Sequence, residues 1–314
     1  MKKANTAVVI AALLLFAGCS KSDRQGSVNS TAVQSDAQQA MTGKANAAAA
    51  LTSPFTTAYV EVNSNSFKNP GCYTYGSSAS QVFSISIIFA ANINLTNGVP
   101  TLYFNPQVQS TLTSGNIAYL QSLGIKVELS ILGNHENAGW GCFTTYGAAD
   151  SFAIQCESAV TQYGLDGIDI DDEYSTCTTN TSSLVLAVSA LRSRLGTTKL
   201  ITKALFDDTQ YFSATYNGKK AGDILDYGWE MTYGDTDYSG RLAPYLSAGM
   251  PASKLAIGID IGGSDETAAS KFVKKNGYAA VMVYNVANNS QTNLSLVTNA
   301  LFGSATSVKA NCLQ

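Results

Sequence analysis

Eight short runs of apolar and β-branched residues constrain the fold of this chain more than any other feature. They cover residues 58–63, 82–90, 126–132, 167–171, 199–205, 226–233, 255–261 and 280–286. Amphipathic helical patterns lie between several of them, at residues 106–124, 148–164 and 181–196. Strand–helix alternation repeated eight times predicts an α/β protein, a single (β/α)8 TIM barrel.

Two connections, residues 63–80 and 206–224, lack a helical pattern. We therefore predict that the outer ring of helices is incomplete. A doubly wound open sheet is the alternative fold. It would more naturally carry a glycine-rich phosphate loop after the first strand, and the segment VEVNSNSF is not such a loop.

The N-terminus reads as an export signal. Residues 1–19 combine Lys2 and Lys3, a short apolar run and Ala17-Gly18-Cys19, which predicts a lipoprotein signal peptide with lipid attached at Cys19. Residues 20–53 are polar and small, which predicts a flexible tether. Residues 54–314 would form the barrel. We expect an exported chain anchored by lipid to a bacterial membrane, at the cell surface, or else secreted after ordinary signal cleavage.

Composition excludes several partners. The net charge is −3 and no basic stripe is present, which argues against nucleic acid. Five cysteines remain beside Cys19, without CxxC spacing and with a single histidine, so we predict no metal and no cofactor. Export permits disulfides. The odd number leaves one thiol over, for which we predict Cys156 on an apolar helix face; the pairing among Cys72, Cys142, Cys156, Cys177 and Cys312 stays open. We expect a monomer.

The fourth strand carries an unusual run of acids, YGLDGIDIDDEY at residues 163–174. Alternate residues of a strand share a face, so Asp169, Asp171 and Glu173 point together while Ile168 and Ile170 point the other way. The isoleucines suit the layer beneath the helices. The acids would then line the barrel interior and run toward the carboxyl end of the strand, where barrel enzymes hold their chemistry.

Three neighbouring carboxylates cannot all ionise, because like charges raise at least one pKa. A carboxyl group that keeps its proton near neutral pH can act as a general acid, and Glu173 is best placed to reach a substrate. A solvated or helix-capping acidic run is the first alternative, disfavoured because the acids alternate with isoleucine. A calcium loop is the second, disfavoured because the twelve-residue ligand spacing is absent.

The segment DGIDIDDE, residues 166–173, resembles the DGxDxDxE signature of glycoside hydrolase family 18. The longer YGLDGIDIDDEY is similar to endo-β-N-acetylglucosaminidases of the Endo H and Endo F type. The segments AYVEVNSNS, IIFAANIN, GIKVELSILGNHENAG, LDYGWEMTYG and VMVYNV also fall where that family has barrel strands, so the resemblance extends over residues 55–302.

This resemblance implies hydrolysis of the β-1,4 bond between the two core N-acetylglucosamine residues of N-linked glycans on glycoproteins. The implied mechanism is retaining and substrate-assisted: the 2-acetamido oxygen attacks the anomeric carbon. Glu173 would protonate the leaving oxygen and then activate water. Asp171 would orient the acetamido group and stabilise the oxazolinium-like intermediate. Asp169 would support Asp171 through a shared proton.

The resemblance also implies further substrate contacts, from aromatic and loop residues at the carboxyl ends of strands. These candidates are Tyr233, Tyr284, Trp229, Asn134, His135 and Trp140, with Tyr227 as a further wall of the pocket. Packing in the core is the alternative for each aromatic residue, Trp229 above all, and a structural role is the alternative for His135. The chain departs from relatives of the Endo H type at Glu230-Met231-Thr232 and in the loop 206–225, which leaves the preferred glycan class open. A chitinase and a non-hydrolytic glycan-binding lipoprotein on the same scaffold are the alternative functions.

Overall fold

The computed structural model describes residues 51–314, and eight of its strands close into one parallel barrel. Every neighbouring pair runs parallel, and the first strand pairs with both the second and the eighth. The TIM-barrel prediction is confirmed and the open-sheet alternative is wrong. The predicted signal peptide and the tether up to residue 50 lie outside the described residues. The barrel strands are β1 (Phe55–Glu61), β2 (Ile85–Thr96), β3 (Lys126–Gly133), β4 (Gly167–Ile170), β5 (Leu200–Leu205), β6 (Tyr227–Glu230), β7 (Leu255–Asp260) and β8 (Ala280–Tyr284).

Helices surround the barrel unevenly. They are α1 (Pro106–Thr113), α2 (Asn116–Ser122), α3 (Tyr146–Tyr163), α4 (Ser183–Leu195), α5 (Ala221–Ile224), α6 (Tyr238–Ser247), α7 (Glu266–Asn276) and α8 (Gln291–Phe302). Between β1 and β2 the described chain has only a 3₁₀ turn and short strands. Between β5 and β6 it has a four-residue 3₁₀ turn, two short strands and the four-residue α5. The predicted incomplete ring is confirmed.

Two local features differ from the sequence prediction. The single helix predicted over residues 106–124 is broken into α1 and α2 at Gly115, whose φ of 79° belongs to the left-handed region that favours glycine. The second strand extends to Thr96 and turns through Asn97-Gly98 into an antiparallel strand, Val99–Tyr103. Asn-Gly is a strong hairpin signal that the sequence reading overlooked.

Apolar residues form two layers of core. Ile168 and Ile170 of β4 belong to the larger one, between strands and helices, as the alternation predicts. The smaller one fills the barrel interior with Phe55, Ile87 and Met282 among others. Because the interior is packed in this way toward the amino ends of the strands, open space is left at their carboxyl ends.

Four of the five cysteines beyond the predicted signal peptide form two disulfides, Cys72–Cys312 and Cys142–Cys177. Cys156 is a buried free thiol in α3, as predicted. The second disulfide joins the loop after β3 to the segment after β4, so it tethers two loops beside the acids of β4. Within residues 51–314, no helix has the length and apolarity needed to cross a membrane.

Candidate active site

The acids of β4 descend from the surface into the barrel. Asp169 has no exposed surface and Asp171 is 2% exposed, whereas Glu173 is only partly buried. The backbone beyond Ile170 stays extended alongside β3, because the Asp171 amide donates to the Ile131 carbonyl and the Gly133 amide donates to the Glu173 carbonyl. The alternation of side chains therefore continues past the end of the strand.

Asp169 is held by three donors. The Tyr59 hydroxyl donates to Oδ2 at 2.6 Å, and the Thr202 hydroxyl and the Trp229 indole N–H reach Oδ1 at 2.7 and 3.0 Å. Burial raises the pKa of Asp169, and these donors oppose the rise. In the described part of the chain Asp171 makes no hydrogen bond to Asp169, so the two acids are coupled here by charge rather than by a direct contact.

Asp171 and Glu173 are both shifted toward the protonated form. Burial raises the pKa of Asp171 well above its usual range, the charges of Glu173 and Asp169 raise it further, and Lys203 opposes them. Partial burial raises the pKa of Glu173, again against Lys203. One carboxylate oxygen of Asp171, Oδ1, is buried without a partner among residues 51–314. Such a pair can hold a proton for acid–base chemistry.

A cavity of about 420 Å³ opens above these two acids. It is lined by Tyr59, Phe89, Leu132, Asp171, Glu173, Tyr174, Phe206, Met231, Tyr233 and Tyr284. Its carboxylates are two residues apart on one segment, and its other lining residues are aromatic or apolar. Aromatic rings offer faces that suit the C–H faces of a sugar.

Tyr233 and Tyr284 lie where the sequence reading places them. Both line the cavity, and their rings stack with centroids 5.8 Å apart. Burial raises the pKa of the Tyr233 hydroxyl, with the charge of Asp171 as the next cause, so this hydroxyl stays a hydrogen-bond donor near the acids.

The two tryptophans are placed differently from the prediction. Trp229 has no exposed surface and lies beneath the acids as a donor to Asp169, and Trp140 is buried with its indole N–H 2.6 Å from the Ile131 carbonyl. Tyr227 is buried beside Trp229 in the interior core. None of the three lines the cavity. The predicted substrate contacts of these three residues are therefore wrong: Trp229 and Trp140 donate to groups of the barrel, and Tyr227 packs in its core.

The loop after β3 braces the chain that follows Glu173. His135 does not line the cavity. Its exposed ring lies against the ring of Tyr174, at 5.1 Å between centroids, and its amide donates to the Tyr174 carbonyl. Asn134 donates to the Asn94 side chain. A Cβ on Gly133 would stand 2.5 Å from the Glu173 carbonyl oxygen, so only glycine lets this loop approach so closely. Asn134 and His135 therefore lie beside the cavity, outside its lining.

The outer face of the same segment holds a separate charged cluster. Lys203 of β5 is 1% exposed and pairs with Asp208 at 2.5 Å, and Asp208 accepts from the Tyr245 hydroxyl. Asp172 points to this side, where its Oδ1 accepts from the Gly141 amide. Burial would lower the pKa of Lys203, but the charges of Asp208 and Asp172 outweigh it and raise that pKa. Sequence reasoning missed Lys203, although a lysine within LITKAL was a visible signal.

Residues 230–232, where the sequence departs from relatives of the Endo H type, contain one member of a buried ion pair, Glu230 with Arg241. Arg241 of α6 donates to the Glu230 carboxylate and also to the backbone carbonyls of Glu230 and Gly258. Glu230 also accepts from the Thr232 amide at 3.1 Å. Glu230 is thus paired with Arg241 beneath the loop that carries Met231 and Tyr233 into the cavity wall. A charged residue inside an apolar strand was the feature of the sequence that could have indicated this ion pair.

No group of three or more His, Cys, Asp or Glu side chains within residues 51–314 is arranged to hold a metal ion. Asp169 accepts instead from hydroxyl and indole donors. What the arrangement provides is a barrel-end cavity with one proton-holding carboxylate above another, the layout of a barrel hydrolase that works by acid–base catalysis.

Comparison with known proteins identifies the family. The profile of the Glycosyl hydrolases family 18 matches residues 55–305, and the chain belongs to this family, which confirms the resemblance seen in the sequence. An endo-beta-N-acetylglucosaminidase of Flavobacterium sp. (strain SK1022) is 38% identical over 84% of this chain and 85% of its own length. Endo-beta-N-acetylglucosaminidase F1 of Elizabethkingia meningoseptica is 28% identical over 96% of this chain and 92% of its own length.

Solved structures share the fold. EndoBT-3987 of Bacteroides thetaiotamicron, in complex with a Man9GlcNAc2Asn substrate, superposes with a TM-score of 0.69 at 21% identity, over 81% of this chain and 67% of that one. A chitinase catalytic domain from Ostrinia furnacalis superposes with a TM-score of 0.60 at 14% identity, over 83% of this chain and 99% of that one.

Proposed function

We propose that this protein is an endo-β-N-acetylglucosaminidase that hydrolyses the β-1,4 bond between the two core N-acetylglucosamine residues of N-linked glycans. The observation that carries the proposal is the stacking of Asp171 and Glu173 on one wall of the cavity, each with a raised pKa. The names of the two sequence relatives and the family membership support the same activity.

The layout of the cavity favours a substrate-assisted mechanism. Among residues 51–314, the two carboxylates that line it both belong to the β4 segment, and the deeper one is almost wholly buried. In the proposed reaction the 2-acetamido oxygen attacks the anomeric carbon while Glu173 gives its proton to the leaving glycosidic oxygen. Asp171, with its unpartnered oxygen, orients the acetamido N–H. Once Glu173 has given its proton to the leaving oxygen, the pair of acids carries the negative charge that balances the oxazolinium. Glu173 then takes a proton from the incoming water, and Tyr233 donates to the acetamido carbonyl.

A chitinase is the second candidate, because solved chitinases share the fold. Chitinases commonly hold their polymer on tryptophan platforms. Both tryptophans of this chain are buried, at 1% and 0% exposure, so neither can stack on a polymer. The most exposed rings that line the cavity are those of Tyr174 and Phe206 instead. This difference favours a glycan substrate over chitin.

A digest of glycoproteins bearing high-mannose, hybrid or complex glycans tests the activity. Wild type should release glycans that end in one N-acetylglucosamine and leave the other on asparagine, as identified by mass. Glu173→Gln should lower kcat about 10²–10⁴-fold, because it removes the general acid, while glycan binding is kept. Release of chitin oligosaccharides without action on any glycoprotein would establish the chitinase, and binding without turnover by wild type would establish a non-hydrolytic protein.

We further propose that the chain is exported, anchored through lipid on Cys19, and monomeric. Two disulfides in residues 51–314 support an oxidising compartment, because such bonds are rare in the cytosol. Metabolic labelling with a fatty acid should mark wild type but not Cys19→Ala, and the variant should leave the membrane fraction. Equal labelling of both would sink the anchor proposal, and a dimer mass in light scattering would sink the monomer.

A further inference from the structure

Glu128 is a buried acid that the reaction described above does not use. It lies on β3 inside the barrel with no exposed surface. Its Oε2 stands 2.8 Å from the Thr202 hydroxyl oxygen, and its Oε1 has no partner among residues 51–314. An ionised carboxylate in this position would leave one charged oxygen without any donor, at a large cost in free energy.

Thr202 connects this acid to the column of β4. Its hydroxyl oxygen is 2.7 Å from Asp169 Oδ1 as well as 2.8 Å from Glu128 Oε2. A hydroxyl group carries one proton, so it can donate to only one of two carboxylates. If both acids were ionised, the carboxylate that does not receive the Thr202 proton would face the hydroxyl oxygen, and two acceptors would lie together in the dry interior. One of the two carboxyl groups therefore carries a proton.

The surroundings decide which one. Asp169 also accepts from the Tyr59 hydroxyl and the Trp229 indole, and an indole N–H is a donor only. Glu128 has Thr202 alone. The titratable groups that face Glu128 are Asp169, Asp166 and Asp226, with Tyr227 on the neighbouring strand. Lys126 and Arg192 are occupied by Asp166 and Asp226. Burial, and then the charge of Asp169, raise the pKa of Glu128.

We infer that Glu128 is a neutral positioning residue for the acid column: its carboxyl proton is donated to the Thr202 hydroxyl, which in turn donates to Asp169. The inference rests on the proposed function, since Asp169 underlies the acid pair assigned to catalysis. The relay fixes the direction of the Thr202 proton, so Asp169 keeps its charge beneath Asp171. That charge is one of the causes that hold the proton on Asp171.

Unfolding as a function of pH tests the proton on Glu128 without any activity. An acid that is neutral when folded ionises on unfolding, so it lowers the free energy of unfolding as pH rises above its unfolded pKa of about 4.3. Glu128→Gln keeps the shape and the donor but cannot ionise. Its stability advantage over wild type should therefore grow with pH from there upward, until the folded pKa is reached. A constant difference would show that Glu128 is ionised in the fold and would overturn the inference.

Kinetics test the positioning role. Glu128→Gln should leave the pH profile of kcat in place, whereas Glu128→Leu, which has no donor, should lower kcat about threefold to tenfold with KM unchanged. Thr202→Ser should behave as wild type, and Thr202→Val should lower kcat and displace the pH profile. A profile displaced in Glu128→Gln, or a wild-type kcat in Glu128→Leu, would overturn the relay. If wild type cleaves no glycoprotein, the proposed function fails, and the unfolding series still decides the protonation of Glu128.

Discussion

The two faces of the β4 segment carry acids in opposite electrostatic surroundings. On the inner face, Asp169 accepts from hydroxyl and indole donors and Asp171 is buried beside other acids. Neither forms an ion pair with a Lys, Arg or His within residues 51–314. On the outer face, Asp172 shares its surroundings with Lys203, which is itself paired with Asp208. Residues one position apart thus lie in a proton-holding column and in an ion-paired cluster.

The difference between the two faces predicts which acids matter for stability and which matter for catalysis. A buried acid beside a cation is ionised, and removal of either partner leaves an uncompensated charge. A buried acid among acids is neutral or shares a proton, so it can be replaced by an amide at small cost to folding. We therefore expect changes on the inner face to cost activity and changes in ion-paired clusters to cost stability.

The largest expected effect is on activity. Asp171→Asn should lower kcat on glycoprotein about 10²–10³-fold, because an amide cannot share the negative charge that the acid pair carries beside the positive intermediate once Glu173 has given up its proton. Its melting temperature should stay near that of wild type, since the replaced carboxyl group is neutral in the fold. Asp172→Asn, the next residue on the opposite face, is the matched control and should retain kcat within a few-fold. Equal losses in the two variants would end the distinction between the faces.

The second effect is on stability alone. Arg241→Met should lower the free energy of unfolding by about 3–5 kcal/mol, because Glu230 is left as a buried charge without its partner. Urea titration provides the measurement. The double variant Arg241→Met, Glu230→Gln should recover much of the loss. A double variant as unstable as the single one would mean that packing of the guanidinium, not charge, is what matters.

The third effect is on the pH profile. The Lys203 cation lowers the pKa of Asp171 and Glu173. Replacing the pair together, Lys203→Met with Asp208→Asn, avoids a lone charge on Asp208 and removes that influence. Glu173 should then keep its proton to higher pH, and the basic limb of kcat/KM should move upward. A limb that stays in place or moves to lower pH would contradict any link between the outer cluster and the inner acids.

The smallest effect concerns Trp229. Trp229→Phe keeps most of the ring but removes the N–H that donates to Asp169. One lost hydrogen bond is worth about 1.5 kcal/mol, so kcat should fall about tenfold, with KM unchanged. A raised KM with normal kcat would restore Trp229 as a direct contact with the sugar, as the sequence resemblance implied.

The barrel and its acid strand could be read from the sequence because both are local patterns. Apolar runs with helical segments between them specify strands and their order. Alternation within GIDID specifies which acids share a face, and Asp169, Asp171 and Glu173 are placed in that order of depth. The broken helix at Gly115 and the Asn97-Gly98 hairpin are equally local, because in each the glycine itself is the signal.

The partners of those acids could not be read in this way, because they come from other strands. Tyr59 and Thr202 reach Asp169, and Glu128 reaches Thr202, only when β1, β3, β4 and β5 are brought around one interior. Trp229 shows the converse: its type suggested a sugar platform, and closure of the barrel turned it beneath the site. The sequence by itself determined the barrel, the family and the face on which the acids lie, since periodicity acts between neighbours along the chain. The tertiary structure alone decided which acids are dry, which are paired with a cation and where a proton rests, since desolvation and Coulomb interactions depend on distances in space.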